Sequence, residues 1–399
     1  MRVTLTVIAG PHAGTEFSFD RHDTFVVGRS QHAHFQLPLK DRYFSRIHFM
    51  MEVNPPHCRL IDMGSHNGTF VNGSRVLVGD LHNGDQIRAG HTVIRLSVQS
   101  GTDLPIPGSA MPPANPQAGG DGLPQFPGYA TLKALSRQGL GPLYLARRLT
   151  DESQVEIRTI VPSHPPTPTQ LDDFFRSARF LLKLEHANIV RLCDLGHSGG
   201  RLYFVADHVA GADTATIVDR DGPLELARAI GWADCLLQAL QYAHGLHFVH
   251  SDIKPATVIV TRSKTRETAR LADYGIARLY HSAPFSGLSL TGDILAAAAF
   301  LPPEVLLNYH EAKPASDQYA VAATLYFLLA GTHALKLPTA IHRRFTSLLR
   351  QQAVPLRDRR PEVPAAVADV IHKAMARTPA QRYPSVMEFR EALLNAAKN

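Results

Sequence analysis

Two sets of charged and hydrogen-bonding residues are of types that can carry chemistry. Near the N-terminus, Arg29 and Arg46 offer forked guanidinium donors and Ser45 offers a hydroxyl, the donor types that suit an anion. Much later in the chain, Asp252 and Lys254 stand two residues apart, with Arg158 and Asp273 as further charges. His244, His247 and His250 recur at intervals of three, but no Cys or carboxylate stands beside them at a spacing that suits zinc. Asp172-Asp173 opens a helical stretch, where the helix dipole favours negative charge; that reading is preferred to a catalytic pair.

The elements that must position these residues fall into two regions. Residues 1–98 are strand-like: apolar alternation in Val3–Ile8, Phe17–Phe19, Thr24–Val27, His48–Val53 and Val93–Leu96 is broken at Asn67-Gly68, Asn72-Gly73 and Asn83-Gly84. Asn-Gly supplies the positive φ angles of tight hairpins, so short antiparallel strands in a sandwich are expected. Residues 99–128 are rich in Pro, Gly, Ala and Gln and read as a linker. A flexible coil of roughly 30 residues spans on the order of 30 Å. From Tyr129 short strands come first (Gly141–Ala146, Val155–Ile160), then a helix over Leu171–Leu184 and a strand over Leu202–Ala206. The remainder is helical: Leu224–His244, Ser316–Ala330, Pro364–Ala376 and Ser385–Ala397, with Pro364 suited to a first helical turn.

The first region resembles a forkhead-associated (FHA) domain. Gly28-Arg29-Ser30, Ser45-Arg46-Ile47-His48, the run from Asp62 to Gly73 and Leu81–Ile87 agree with that family in order and spacing. The resemblance implies a phosphothreonine reader. Arg29 and Arg46 would supply charge, Ser45 a donor and Asn67 a hold on the ligand's main chain, while His48 would buttress the loops. His66 stands where the family usually has Thr or Ser, so an imidazole replaces a small hydroxyl.

The second region, 129–399, resembles a bacterial-type Ser/Thr protein kinase along its length. His186–Leu192, His250-Ser251-Asp252-Ile253-Lys254-Pro255, Asp273-Tyr274-Gly275, Pro302-Pro303-Glu304, Ser316-Asp317-Gln318-Tyr319 and Arg382 carry the likeness. It implies that Asp252 is the base, Lys254 touches the transferred phosphate and Asp273 holds Mg²⁺. It accounts for His244 and His250 without a metal, and pairs Glu304 with Arg382. The pattern is also eroded. The glycine-rich loop keeps Gly139 and Gly141 but only the last signature glycine; Arg158 replaces the phosphate lysine, and Arg is not interchangeable with Lys at such a site. Ser177 stands at the position of the lysine's glutamate, Thr257 at that of the metal asparagine, Ser251 at that of the arginine before the base, and Ala297 at that of a bridging threonine. Loss of one charge-stabilising group commonly costs about 10²–10³ in rate, so several losses together leave little. Arg147 and Lys133 are the nearby cations that could stand in for the lysine. ATP and Mg²⁺ are expected to be weak ligands of such a site, and the pattern makes no cofactor certain.

The expected fold is multidomain: an all-β FHA sandwich plus an α+β bilobal protein-kinase fold. With 44% hydrophobic and 19% charged residues the composition is that of an ordinary globular protein. No apolar run reaches membrane-spanning length, and the net charge of +6 is spread without a basic run, giving no support to nucleic-acid binding. The MRVTLTVIAG start reads as a strand rather than a signal peptide, and three scattered Cys point to a reducing cytoplasm. The reading that follows is a signalling adaptor that binds a phosphothreonine-containing protein through the FHA domain and a second protein partner through a pseudokinase. The alternative is a weak or atypical ATP-dependent Ser/Thr kinase recruited to phosphorylated substrates. A third arrangement captures a phosphorylated Thr102 or Thr291 of the same chain, because the linker holds the two domains at near-millimolar effective concentration.

Overall fold

A computed structural model describes residues 1–30, 33–37, 43–99, 123–136, 140–263, 266–287, 298–307, 312–338 and 341–398. The N-terminal region is a sandwich of strands β1 (Arg2–Ala9), β2 (Glu16–Phe19), β3 (Asp23–Gly28), β4 (Phe35–Gln36), β5 (Phe49–Asn54), β6 (His57–Asp62), β7 (Thr69–Val71), β8 (Ser74–Val76), β9 (Val78–Leu81), β10 (Gln86–Ala89) and β11 (Thr92–Gln99). One sheet has the order β2-β1-β11-β10-β7-β8 and the other β4-β3-β5-β6-β9. Alternation is clearest on β1, where Val3, Leu5 and Val7 all point into the core. The Asn72-Gly73 hairpin joins β7 to β8, with Val71 paired to Ser74 and both turn residues at positive φ, as a two-residue primed turn requires.

Strand β5 departs from alternation: all six residues are buried. Phe49, Met51 and Val53 fill the sandwich, while Met50 faces outward with Val26, Ile61 and Met63. That outer face is covered by the second region. There the described strands β12 (Tyr129–Ser136), β13 (Leu143–Arg148), β14 (Gln154–Ile160), β15 (Leu192–Ser198) and β16 (Arg201–Asp207) form a sheet in the order β12-β13-β14-β16-β15. Phe126, inside the expected linker, is 4% exposed and packs with Ala146, Ile157 and Tyr203. An aromatic side chain of this size is stabilised by the sheet, so the last residues of that segment join the small lobe.

Helix α1 (Pro168–Ala178) opens on a Thr167–Gln170 capping box, and the expected continuous helix to Leu184 instead tightens after Ala178 into a 3₁₀ turn over Arg179–Lys183. The large lobe follows with α2 (Thr214–Asp221), α3 (Leu226–Gly245), α4 (Ile276–His281), α5 (Pro303–Leu307), α6 (Pro314–Ala330), α7 (Ile341–Arg350), α8 (Leu356–Arg359), α9 (Ala365–Ala374) and α10 (Val386–Lys398). Pro364 caps α9 from outside rather than entering its first turn. Helix α6 is buried on nearly all sides and forms the axis of the lobe. Among the described residues no helix is long and apolar enough to cross a membrane.

The sandwich and the large lobe share an apolar cluster of Val26, Met50, Ile61 and Met63 with Ala298, Leu306, Leu335, Leu348 and Leu349. Polar contacts fix its edge. The Asn54 amide donates to Gly287 O at 2.7 Å and to Ser286 Oγ at 3.1 Å, and His22 Nδ1 donates to His281 O at 2.8 Å. His22 Nε2 meets Glu52 at 2.9 Å, and both side chains are almost fully buried. Burial is the largest single influence on His22 and lowers its pKa, but the hydrogen bond and charge of Glu52, the bond to His281 O and the charge of Asp23 together raise it.

Candidate functional site

The first site lies where the loops after β3, before β5 and after β6 meet. The Arg29 N–H donates to Ser45 O at 3.1 Å and the Ser30 N–H to Arg46 O at 2.8 Å, so the two loops run side by side. Only glycine fits at position 28, because a Cβ there would lie 2.3 Å from Arg46 O. His48 fixes the loop: Nδ1 accepts from the Ser45 N–H at 3.1 Å and Nε2 donates to Gly68 O at 3.3 Å. Asp62 organises the third loop by accepting from the Ser65 N–H and the Thr69 hydroxyl. The His66 N–H then donates to Ser45 Oγ at 3.1 Å, and the Asn67 amide to Tyr43 O at 3.0 Å. Ser45 Oγ accepts there and retains its own O–H to donate.

The structure thus brings Arg29, Ser45, Arg46, His66 and Asn67 to one rim. Ser30 belongs there too, through its backbone bond to Arg46. Guanidinium groups, a hydroxyl proton and an amide held on rigid strands are donor types that suit an anion.

The second site lies between the lobes. Arg158 on β14 reaches Asp273 with Nε to Oδ1 at 2.9 Å and Nη2 to Oδ2 at 2.8 Å, and donates Nη1 to Gly141 O at 3.0 Å. Gly141 has φ +147 and would place a Cβ 2.2 Å from Thr159 O, so the turn lies flat against β14. The loop therefore offers the cleft a carbonyl, already taken by Arg158. Gly139 lies outside the described residues. Lys254 Nζ bonds both oxygens of Asp252, at 2.8 and 2.7 Å. Thr257 Oγ1 donates within the loop to Asp252 O and accepts from the Lys254 N–H, an internal tie rather than a metal ligand.

The expected partner positions are turned away. Ser177 is exposed on α1 and its hydroxyl donates to Asp173 O at 3.1 Å. Arg147 pairs with Glu152 at the surface, and Lys133 is exposed on β12. Ala297, Thr102 and Thr291 lie outside the described residues. The scaffold of the loop is intact: Asp317 accepts from the N–H groups of His250 and Ser251, and from His244 Nε2 at 2.9 Å. His250 Nε2 donates to Ala272 O, so these histidines have structural partners. Arg382 forks onto both oxygens of Glu304 at 2.7 and 2.8 Å.

Mg²⁺·ATP does not fit the donors present. Its metal would need the Asp273 carboxylate, whose two oxygens are held by Arg158, and position 257 offers a hydroxyl engaged with the backbone. The segment after Asp273 is also packed against the small lobe's helix. Helix α4 packs on α1, and a Cβ at Gly275 would lie 2.9 Å from the Leu181 side chain. His281, absent from the sequence-based expectations, sits among His22, Glu52, Asp252 and Lys254, where burial pushes its pKa down to about 4. Glu156 beside the cleft pairs with His208 at 2.8 Å, yet burial raises its pKa. Nothing in the motif spacing marks either residue.

Comparison with known proteins identifies both domains. The protein kinase domain family matches residues 129–393, and the FHA domain family residues 25–90. The serine/threonine-protein kinase PknA of Mycobacterium tuberculosis is 27% identical over 270 residues, which cover 66% of this chain and 60% of PknA. PknJ of the same organism is 31% identical over 275 residues, 67% of this chain and 45% of PknJ. The chain thus spans about half of the length of these relatives. Among solved structures, a double mutant of the M. tuberculosis PknI kinase domain matches at TM-score 0.54 and 25% identity, covering 68% of this chain and 97% of that one. Rad53 residues 1–466 with AMP-PNP match at TM-score 0.54 across 98% of this chain and 100% of that one, with 18% identity that speaks for the fold alone.

Proposed function

Because the chain belongs to the protein kinase family and carries an FHA domain ahead of its kinase domain, we propose that it is a phosphothreonine-dependent adaptor whose kinase domain is catalytically silent. The observation that carries this is the bidentate Arg158–Asp273 pair, 13% and 17% exposed. A guanidinium fork on a carboxylate is a strong, geometrically matched contact. Displacing it for a metal means breaking a largely desolvated ion pair, which costs several kcal/mol. At the FHA rim, by contrast, the Ser45 hydroxyl keeps a proton to donate beside two guanidinium groups. In this reading the kinase domain acts as a docking body for a second protein. The free thiols Cys58, Cys193 and Cys235 suit a reducing cytoplasm.

The rival reading, a weak kinase recruited by its FHA domain, rests on the retained Asp252, Lys254 and Asp273. Full-length protein incubated with radiolabelled ATP, Mg²⁺ and a mixed protein substrate separates the two. The adaptor reading expects incorporation no higher than that of Asp252→Ala, together with retention on phosphothreonine beads that is lost in Arg46→Ala. Transfer above background that Asp252→Ala abolishes would overturn it.

A further inference from the structure

The phosphothreonine rim does not end at the FHA domain. Ile47, next to Arg46, packs into the interdomain cluster that contains Leu348 and Leu349 at the end of helix α7. Arg350, which is exposed, directly follows Leu349, as Arg46 directly precedes Ile47, so each arginine flanks the same apolar cluster. The guanidinium of Arg377 donates to Leu349 O and Gln351 O, so the carbonyls on either side of Arg350 are already satisfied. Among the described residues neither Arg46 nor Arg350 has a carboxylate partner. Partial burial, and then the Arg46 charge, pull the Arg350 pKa below the usual arginine value, so the two cations are close enough to repel. Two like charges flanking one apolar cluster, with no acid paired to either among the described residues, form a site that a dianion stabilises.

We propose that Arg350 of the kinase domain completes the phosphothreonine site, the bound phosphoryl group lying between Arg46 and Arg350. This rests on the FHA reading above and specifies it: the reader is built by both domains, so a phosphopeptide bridges them. The ligand is a phosphothreonine peptide, and binding adds to the contacts that hold the FHA sheet on the large lobe.

Fluorescence anisotropy on the full chain tests this, with a labelled degenerate peptide pool carrying one fixed phosphothreonine and a matched threonine pool as probes. Removal of one charge-assisted contact weakens binding by about tenfold. Arg350→Ala should therefore bind the phosphorylated pool about tenfold more weakly, Arg350→Glu more weakly still, and Arg350→Lys close to the parent. The affinity of Arg350→Ala should also fall less steeply with salt. Arg350 is exposed, so melting midpoints should be unchanged; if the alanine variant melts early, the Lys and Glu variants decide. Equal affinity of the parent, Arg350→Ala and Arg350→Glu overturns the composite site and leaves the FHA reading intact. A parent protein that does not distinguish the two pools overturns the FHA reading, and the composite site with it.

Discussion

Arg158 closes on Asp273 through two parallel contacts, Nε to Oδ1 at 2.9 Å and Nη2 to Oδ2 at 2.8 Å. The residue that replaced a phosphate-binding lysine thus satisfies the carboxylate that would hold a metal. A lysine is a point charge on a flexible stem and cannot cover both oxygens with the same rigidity. The arginine at position 158 therefore has a structural role in the cleft.

Removal of that fork takes from Asp273 its ion-pair partner among the described residues. Arg158→Ala should destabilise the full chain by about 3 kcal/mol, the scale for breaking a desolvated pair from one side, measured as a shift in urea midpoint. Arg158→Lys should lose less, because one contact can re-form.

The kinase fold also depends on the Glu304–Arg382 pair, in which the arginine side chain is 0% exposed. Arg382 also donates to Ala315 O and Ala376 O, tying α5, α6 and the segment after α9 together. Arg382→Ala should cost about 3–5 kcal/mol, read from chemical denaturation. Arg382→Ala combined with Glu304→Gln should cost less than the sum of the two single changes.

At the domain boundary, the Asn54 amide donates to Ser286 Oγ and Gly287 O, in the segment after α4. Asn54→Ala should cost about 1–3 kcal/mol through the oxygens left without a donor. Asn54→Asp should cost more, since a carboxylate would face Gly287 O. Differential scanning calorimetry of the full chain measures both.

His281 sets a pH dependence with a defined sign. Its folded pKa is lowered to about 4 from the usual 6.5, by burial first and then by His22, against the opposing charges of Asp252 and Glu52. The unfolded chain therefore binds the extra proton between those values, and stability falls as pH drops from about 6.5 to about 4. His22, with a raised pKa, acts in the opposite sense: its contribution is full below 6.5 and fades as pH rises through its folded value. His281→Asn should flatten the fall in urea midpoint between pH 6.5 and 4.5 relative to the parent.

Much of this architecture could be read from residue order. Asn72-Gly73 marked its hairpin because only residues tolerant of positive φ fit there, and the spacing of His250, Asp252 and Asp273 marked the cleft. The run Phe49-Met50-Met51 carried a further signal: adjacent apolar residues on a strand point to opposite faces, so both faces must be covered. What covers the outer face is a pairing between distant segments, which local pattern does not encode. The same holds for the destination of the Arg158 fork, since a long side chain's partner depends on where another strand end falls. Phe126 was obscured by its Pro- and Gly-rich neighbours, although one large aromatic was enough to join that stretch to the small lobe.

In the proposed function Arg158 holds Asp273 away from metal and leaves the kinase domain silent. A thermal-shift titration of the full chain with millimolar ATP, with and without Mg²⁺, tests it most directly. A nucleotide present at a hundred times its dissociation constant would add about 2.7 kcal/mol and raise the melting point by several degrees. The structure predicts no Mg²⁺-dependent shift, whereas a clear shift that requires Mg²⁺ and disappears in Asp273→Ala would contradict it.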